Sequence, residues 1–311
     1  LPKFVYMTQA NNTFLITFAM ISMGFLIKKY GYITEKEGKI LSKFLMHTTF
    51  PALMIISTSK VVIKPHLFLI PLLCIVLSIV MMSIARFVFK NRPDHLKGIF
   101  MMGAGGYNVG LFGFPLIEGI WGIEAMVFAV MFDIGNAIST FAGVYPSGAY
   151  HAHKGTGKLD IKKLIIRIIT LPPVTGMIIG LSINAFNIPV PKIGFDFLEI
   201  LAKANKPLVL LLMGIYLSFE LNKSQLKDIS KLLIIRYTVG LITVAAIYFG
   251  LEASLMRNVL IVLVVLPLGM TILPFSDELG YDSRIAGTMV NVSLVISFIL
   301  MWGLVAVLGL V

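Results

Sequence analysis

The stretch NVGLFGFP, residues 108–115, lies inside an apolar run long enough to cross a membrane, and GAGGY precedes it at 103–107. Residues 103–115 therefore hold five glycines and end in proline. In a helix interior glycine costs about 1 kcal/mol and proline about 3 kcal/mol relative to alanine. Irregular backbone at membrane depth survives only when it is buried in protein or lines an aqueous cavity. A span carrying its worst helix formers, with an asparagine among them, is expected to mark a working site.

The rest of the chain supports a membrane setting. Of 311 residues, 58% are hydrophobic and 13% charged, and the mean hydropathy is +0.93. A soluble domain is nearer half apolar and a quarter charged, so the composition reads as an all-α polytopic membrane protein. Cys74 is the single cysteine, which excludes an intrachain disulfide. The opening residues LPKFVYMTQANN lack the basic start and cleavage site of a signal peptide. The formal charge of +11 comes from lysines and arginines at the ends of apolar runs. There they report orientation, and no nucleic-acid partner is expected.

A window of about 20 residues, the length that spans roughly 30 Å of hydrocarbon, predicts ten transmembrane helices. They lie near 12–28, 40–57, 66–89, 98–117, 121–144, 163–184, 196–219, 230–250, 256–275 and 283–310. The longest polar connection is YPSGAYHAHKGTGKLD, residues 145–160. It divides the chain into a first five-helix repeat at 1–150, a cytoplasmic linker at 151–162, and a second repeat at 163–311. Most of the 26 Lys and Arg fall in the connections after the odd-numbered spans. Basic connections stay cytoplasmic, so the protein is expected in the cell membrane with both termini extracytoplasmic.

Five spans per half is odd, so the halves must enter the bilayer from opposite sides, as in the inverted repeats of alternating-access transporters. Span 2 carries TFPALMII and span 7 NKPLVLLL; span 4 carries GFPLIEG and span 9 VLPLGMT. Paired interruptions in corresponding spans point to a binding site at the midplane. Pro115 and Pro267 remove a backbone donor each, and Gly110 and Gly113 permit unwinding or close approach. The expectation is a 5+5 inverted repeat in which helices 4 and 9 are broken and cross, with residues 108–115 and 267–271 non-helical. Half-helix N-termini at such a crossing would suit an anion.

NVGLFGFP, followed by FDIGN, resembles the fourth and fifth segments of the auxin efflux carrier family. LPLGMTILPFSDELGYDSRIAGTMVNVSLVIS is similar to its ninth and tenth, and GFLIKKYGYITEKEGKILSKFLMHTTFPALMI to its opening hairpin with a Pro-Ala-Leu signature. Position 271 is threonine where many prokaryotic members have asparagine, Pro274 is an extra break, and the 16-residue linker resembles the short-loop members. The resemblance implies a scaffold of helices 1, 2, 6 and 7, often dimeric, and a mobile transport domain of helices 3–5 and 8–10. It implies a secondary transporter of small organic anions, such as auxin in plants and malate or related carboxylates in microbes, working by an elevator mechanism. Carried over by position, the substrate site comprises Asn108, Gly113, Pro115, Pro267 and Thr271. The expected partners are the substrate anion, the lipid bilayer and a second copy bound through the scaffold.

Other polar residues extend this site. Asp133, mid-span in VMFDIGNAI, carries a charge that costs at least ~2.5–3.5 kcal/mol on insertion scales, and such residues face the protein interior. It is the candidate for coupling to protons or sodium, although hydrogen bonding alone would also explain it. Asn136 shares its helical face; Asn291 is a possible counterpart in span 10. Ser57, Thr58 and Ser59 end span 2 and could line the scaffold side of the cavity. No cofactor is expected, and the HAH at 151–153 offers too few ligands for a structural zinc site. GAGGYNVG lacks the Gly-Lys-Ser/Thr of a nucleotide loop. An intramembrane enzyme would need paired deep carboxylates, and only Asp133 is deep. The alternatives are a sodium-coupled bile-acid-type symporter and a non-transporting receptor or scaffold.

Overall fold

Apolar runs with few internal charges form helices here because a helix pairs its own backbone groups within the segment. In the structure, a computed structural model, residues 2–59, 65–152, 162, 166, 169, 170, 172–217 and 225–310 are described. Their helices are α1 Pro2–Lys29, α2 Glu35–His47, α3 Thr49–Ser59, α4 Leu69–Val88, α5 Asp94–Gly105, α6 Phe114–Trp121 and α7 Met126–Ser139. The remainder are α8 Tyr145–His151, α9 Pro172–Ala185, α10 Lys192–Tyr216, α11 Leu226–Gly250, α12 Leu255–Leu263, α13 Ile272–Leu279 and α14 Ser283–Leu308. Among the described residues, six segments are long and apolar enough to cross a membrane: Asn11–Lys29, Glu35–Ser59, Leu69–Val88, Ile123–His151, Leu226–Gly250 and Ser283–Leu308. Val109–Trp121 and Val174–Ala185 are shorter apolar helices. The regular structure among the described residues is all helical, consistent with the polytopic membrane protein that the composition implies.

Proline shapes the departures from straight helices. Span 2 starts earlier than its apolar run, at Glu35, where Thr34 and Glu37 form a capping box. It is interrupted at Thr48 (φ −126°, ψ −75°), because the ring of Pro51 clashes with the carbonyl four residues earlier, at His47. Span 5 runs on to His151, past its expected end at 144, through a π turn at Thr140–Val144 that precedes Pro146. A second π turn, Val109–Gly113, precedes Pro115. In both places the wider turn carries the chain past a residue with no N–H to donate. Most of the expected cytoplasmic linker at 151–162, namely residues 153–161, lies outside the described residues, as do parts of 163–171.

Two groups of helices pack internally. In the first, α3 lies against α9 and α10, and α1 against α10. Gly24 and Gly214 sit at the α1–α10 contact, where a Cβ on Gly214 would lie 2.8 Å from the Cα of Gly24. In the second, α4 packs on α7, α5 on α4 and α8, and α12 on α7 and α11. The groups meet where α1 touches α6 and α14, where α3 touches α7, and where α10 touches α6 and the π turn at Val109–Gly113. Phe14 of α1 stacks on Trp302 of α14 with ring centroids 5.5 Å apart.

Candidate functional site

Two interrupted helices meet at the centre of the second group. Between α5 and the π turn the chain is unwound over residues 106–108, and between α12 and α13 over residues 264–271. These segments run antiparallel and pair as a single β-bridge, Tyr107 with Leu268, the only β pairing among the described residues. Asn108 N–H donates to Pro267 O at 3.0 Å, and Gly269 N–H to Gly106 O at 3.2 Å. The close approach favours glycine at 269, where a Cβ would lie 3.3 Å from both N and O of Tyr107, whereas one on Gly106 would meet nothing nearer than 3.8 Å.

The backbone groups left over are satisfied from neighbouring helices, as burial demands. Asn136 of α7 supplies a complete amide edge to Tyr107: Tyr107 N–H donates to Asn136 Oδ1 at 2.9 Å, and Asn136 Nδ2 donates to Tyr107 O at 3.0 Å. The same Nδ2 donates to Asp133 Oδ1 at 3.0 Å. On the other strand, Leu268 N–H donates to Ser293 Oγ at 3.1 Å, and Ser297 Oγ donates to Val265 O at 2.8 Å. Ser78 of α4 donates to Gly105 O at 2.7 Å.

The largest contributor is Arg236, mid-way along α11 and 2% exposed. Its Nε and Nη2 donate to Leu266 O at 3.3 and 2.9 Å, Nη2 to Pro267 O at 3.1 Å, and Nη1 to Ala104 O at 3.2 Å. Its guanidinium carbon lies 4.4 Å from the Tyr107 ring centroid, a cation–π contact. A cation placed on the carbonyl ends of α5 and α12 complements the negative ends of both helix dipoles. Sequence reading missed this residue by grouping it with the basic residues after span 7. Ser293 was also missed; it fills the role expected of Asn291, which is half-buried. A lone serine in an apolar helix carries no signal that distinguishes the two.

The expected site residues divide. Asn108, Asp133, Asn136 and Pro267 come together at the crossing. Asn108 is 4% exposed, and its Nδ2 has no hydrogen-bond partner among the described residues. Gly113 sits in the π turn, where a Cβ would lie 3.0 Å from the Leu266 side chain, so the two interruptions also touch there. Pro115 is the second residue of α6. Residues 109–113 form the π turn and 114–115 begin α6, so the non-helical stretch is 106–108 rather than 108–115. In the second interrupted helix Pro267 lies in the unwound segment, and Pro274 is third in α13. Thr271 precedes α13 and is exposed.

Ser57 does not offer a free hydroxyl, because it donates to Leu53 O at 2.5 Å within its own helix. Thr58 donates to Met54 O at 2.7 Å and reaches Met177 O of α9 at 3.4 Å. The two half-helix N-termini also differ. Ile272 and Leu273 N–H are taken by Gly269 and Met270 carbonyls at 3.3 and 3.1 Å. The end beside Asn108 therefore has the more open donors. Across from it, Thr49 Oγ1 donates to Asn205 Oδ1 at 2.7 Å, and Nδ2 of the fully buried Asn205 also has no partner among the described residues. Phe50 packs on Gly110 of the π turn, 3.8 Å from where a Cβ would stand.

Comparison with known proteins agrees with this architecture. The chain is 23% identical over 296 residues to an uncharacterized transporter of Methanothermobacter thermautotrophicus, covering 93% of this chain and 95% of the relative. It is 24% identical over 215 residues to an uncharacterized transporter of Methanocaldococcus jannaschii, covering 66% and 68%. The profile of the membrane transport protein family matches residues 11–305. With nearly its whole length matched, the chain belongs to that family, the auxin efflux carrier family, and is a multi-pass membrane transporter.

Proposed function

We propose that the protein is a secondary carrier of small organic anions, built as a ten-span 5+5 inverted repeat and working by elevator-type alternating access. The scaffold comprises α1–α3, α9 and α10; the moving unit comprises α4–α8 and α11–α14. The packing groups support this division, since each is knit internally and they meet over few elements. The repeat is supported by the hydrogen bond from Thr49 to Asn205. Each stands two residues before a proline, Pro51 and Pro207, so equivalent positions of the two halves meet. Two such scaffolds pairing through α9 and α10 form the expected homodimer.

One observation carries the substrate class: the buried amide donor of Asn108 is unpaired beside the N-terminal end of the Val109–Trp121 half-helix. A carboxylate there would accept from Asn108 and meet the positive end of a helix dipole. The direct test is a thermal-shift and binding screen of mono- and dicarboxylates, with and without sodium, across pH. Asn108→Ala should then weaken binding of the best ligand roughly 10- to 100-fold, as expected for a hydrogen bond to a charged group, while the protein stays monodisperse. Wild-type affinity in a folded Asn108→Ala would move the site elsewhere.

A further inference from the structure

Two formal charges lie in the middle of the moving unit's helices, Asp133 on α7 and Arg236 on α11. They form no direct ion pair, but they are linked through two residues, Asn136 and Tyr107. Asp133 accepts from Asn136, Asn136 holds both backbone groups of Tyr107, and the Tyr107 ring faces the guanidinium. The titratable side chains that interact with this pair are Cys74 from α4, Tyr107 from the crossing, and Tyr237 beside Arg236. Other charges of the unit are placed elsewhere: Arg92 pairs with Asp228 at 2.8 Å, and Arg257 lies over the Tyr248 ring at 5.0 Å. Glu118 faces the scaffold's Lys206.

Arg236 cannot lose its proton, and its donors are committed to the carbonyl ends that shape the crossing. The unit thus carries a permanent positive charge, and a single net charge crossing hydrocarbon is opposed by loss of hydration. We propose that Asp133 is the switchable partner of Arg236, taking up one proton for each monocarboxylate bound, so that the moving unit is uncharged both loaded and empty. When empty, ionised Asp133 balances Arg236. When loaded, the substrate carboxylate balances Arg236 and Asp133 is the neutral acid. The proton comes from the aqueous side where the anion binds, and both leave on the other side. This rests on the carrier reading above.

The test uses the purified full chain in proteoliposomes with lactate, pyruvate and succinate as probes. Isotope counterflow requires no net charge movement and comes first. Counterflow of a monocarboxylate supports the carrier reading. Counterflow of succinate alone leaves that reading standing and overturns the charge pairing, and none with any probe overturns both. Net monocarboxylate uptake by the wild type is expected to follow an imposed proton gradient, with one proton per substrate, and to be unmoved by a potassium–valinomycin potential. Asp133→Asn keeps the acceptor for Asn136 but not the charge, so its empty unit would be positive. Its net uptake should become potential-dependent, with the accumulation ratio changing about fiftyfold per 100 mV. Potential-driven wild-type uptake, sodium in place of protons, or a wild-type-like Asp133→Asn would each overturn the proposal.

Discussion

Asn136 does at residue scale what a neighbouring strand does in a sheet. Its amide offers one acceptor and two donors, and three hydrogen bonds use them: to Tyr107 N–H, to Tyr107 O and to Asp133. Leucine of similar volume would leave both backbone groups of Tyr107 bare. A buried polar group left unsatisfied costs about 1–3 kcal/mol. Asn136→Leu is therefore expected to lower the thermal midpoint by several degrees and to abolish ligand binding. Ser293→Ala strands only Leu268 N–H and should cost roughly half as much. Differential scanning fluorimetry in detergent gives the order; an Asn136→Leu protein that melts like wild type would remove the crossing from the stability argument.

At the scale of elements, close helix contacts depend on small residues, because lipid tails supply no hydrophobic drive for helices to associate. Gly24 and Gly214 let α1 and α10 approach until each would strike the partner's backbone if it carried a Cβ. Gly135 is likewise set against Pro71 of α4, 2.8 Å from its Cα at the Cβ position. Gly24→Leu should separate α1 from α10 and give aggregated protein by size-exclusion chromatography, whereas Gly250→Leu, with open space around it, should elute as wild type. The interrupted elements were legible in sequence because glycine and proline announce themselves by type. The π turns were not, since a widened turn before proline and an unwound segment leave the same residues behind. For the same reason Pro267 was matched with Pro115, although the half-helix that follows it carries its own proline, Pro274. Arg236 stayed hidden because a single arginine near the start of an apolar run reads as a boundary charge. Only the fold reveals that it is 2% exposed and aimed at carbonyls from two other segments.

At the scale of the whole molecule, charge distribution decides orientation. On the proposed ten-span reading, the basic connections that follow odd-numbered spans would lie in the cytoplasm, with both termini outside and the two halves opposed. Tyr32, 79% exposed between α1 and α2, would then face the cytoplasm. Glu252, exposed between α11 and α12, would face outward. The single Cys74 is buried, so Cys74→Ser gives a background free of thiols in which one new cysteine reports one position. Glu252→Cys should react with a membrane-impermeant maleimide on intact cells, and Tyr32→Cys only after permeabilisation. The reverse pattern would mean that the protein sits inverted with its repeat intact. Labelling of both positions from one side would require an even number of crossings between residues 32 and 252, against the seven of a ten-span carrier. That outcome would remove the antiparallel relation of the halves on which a shared midplane site depends.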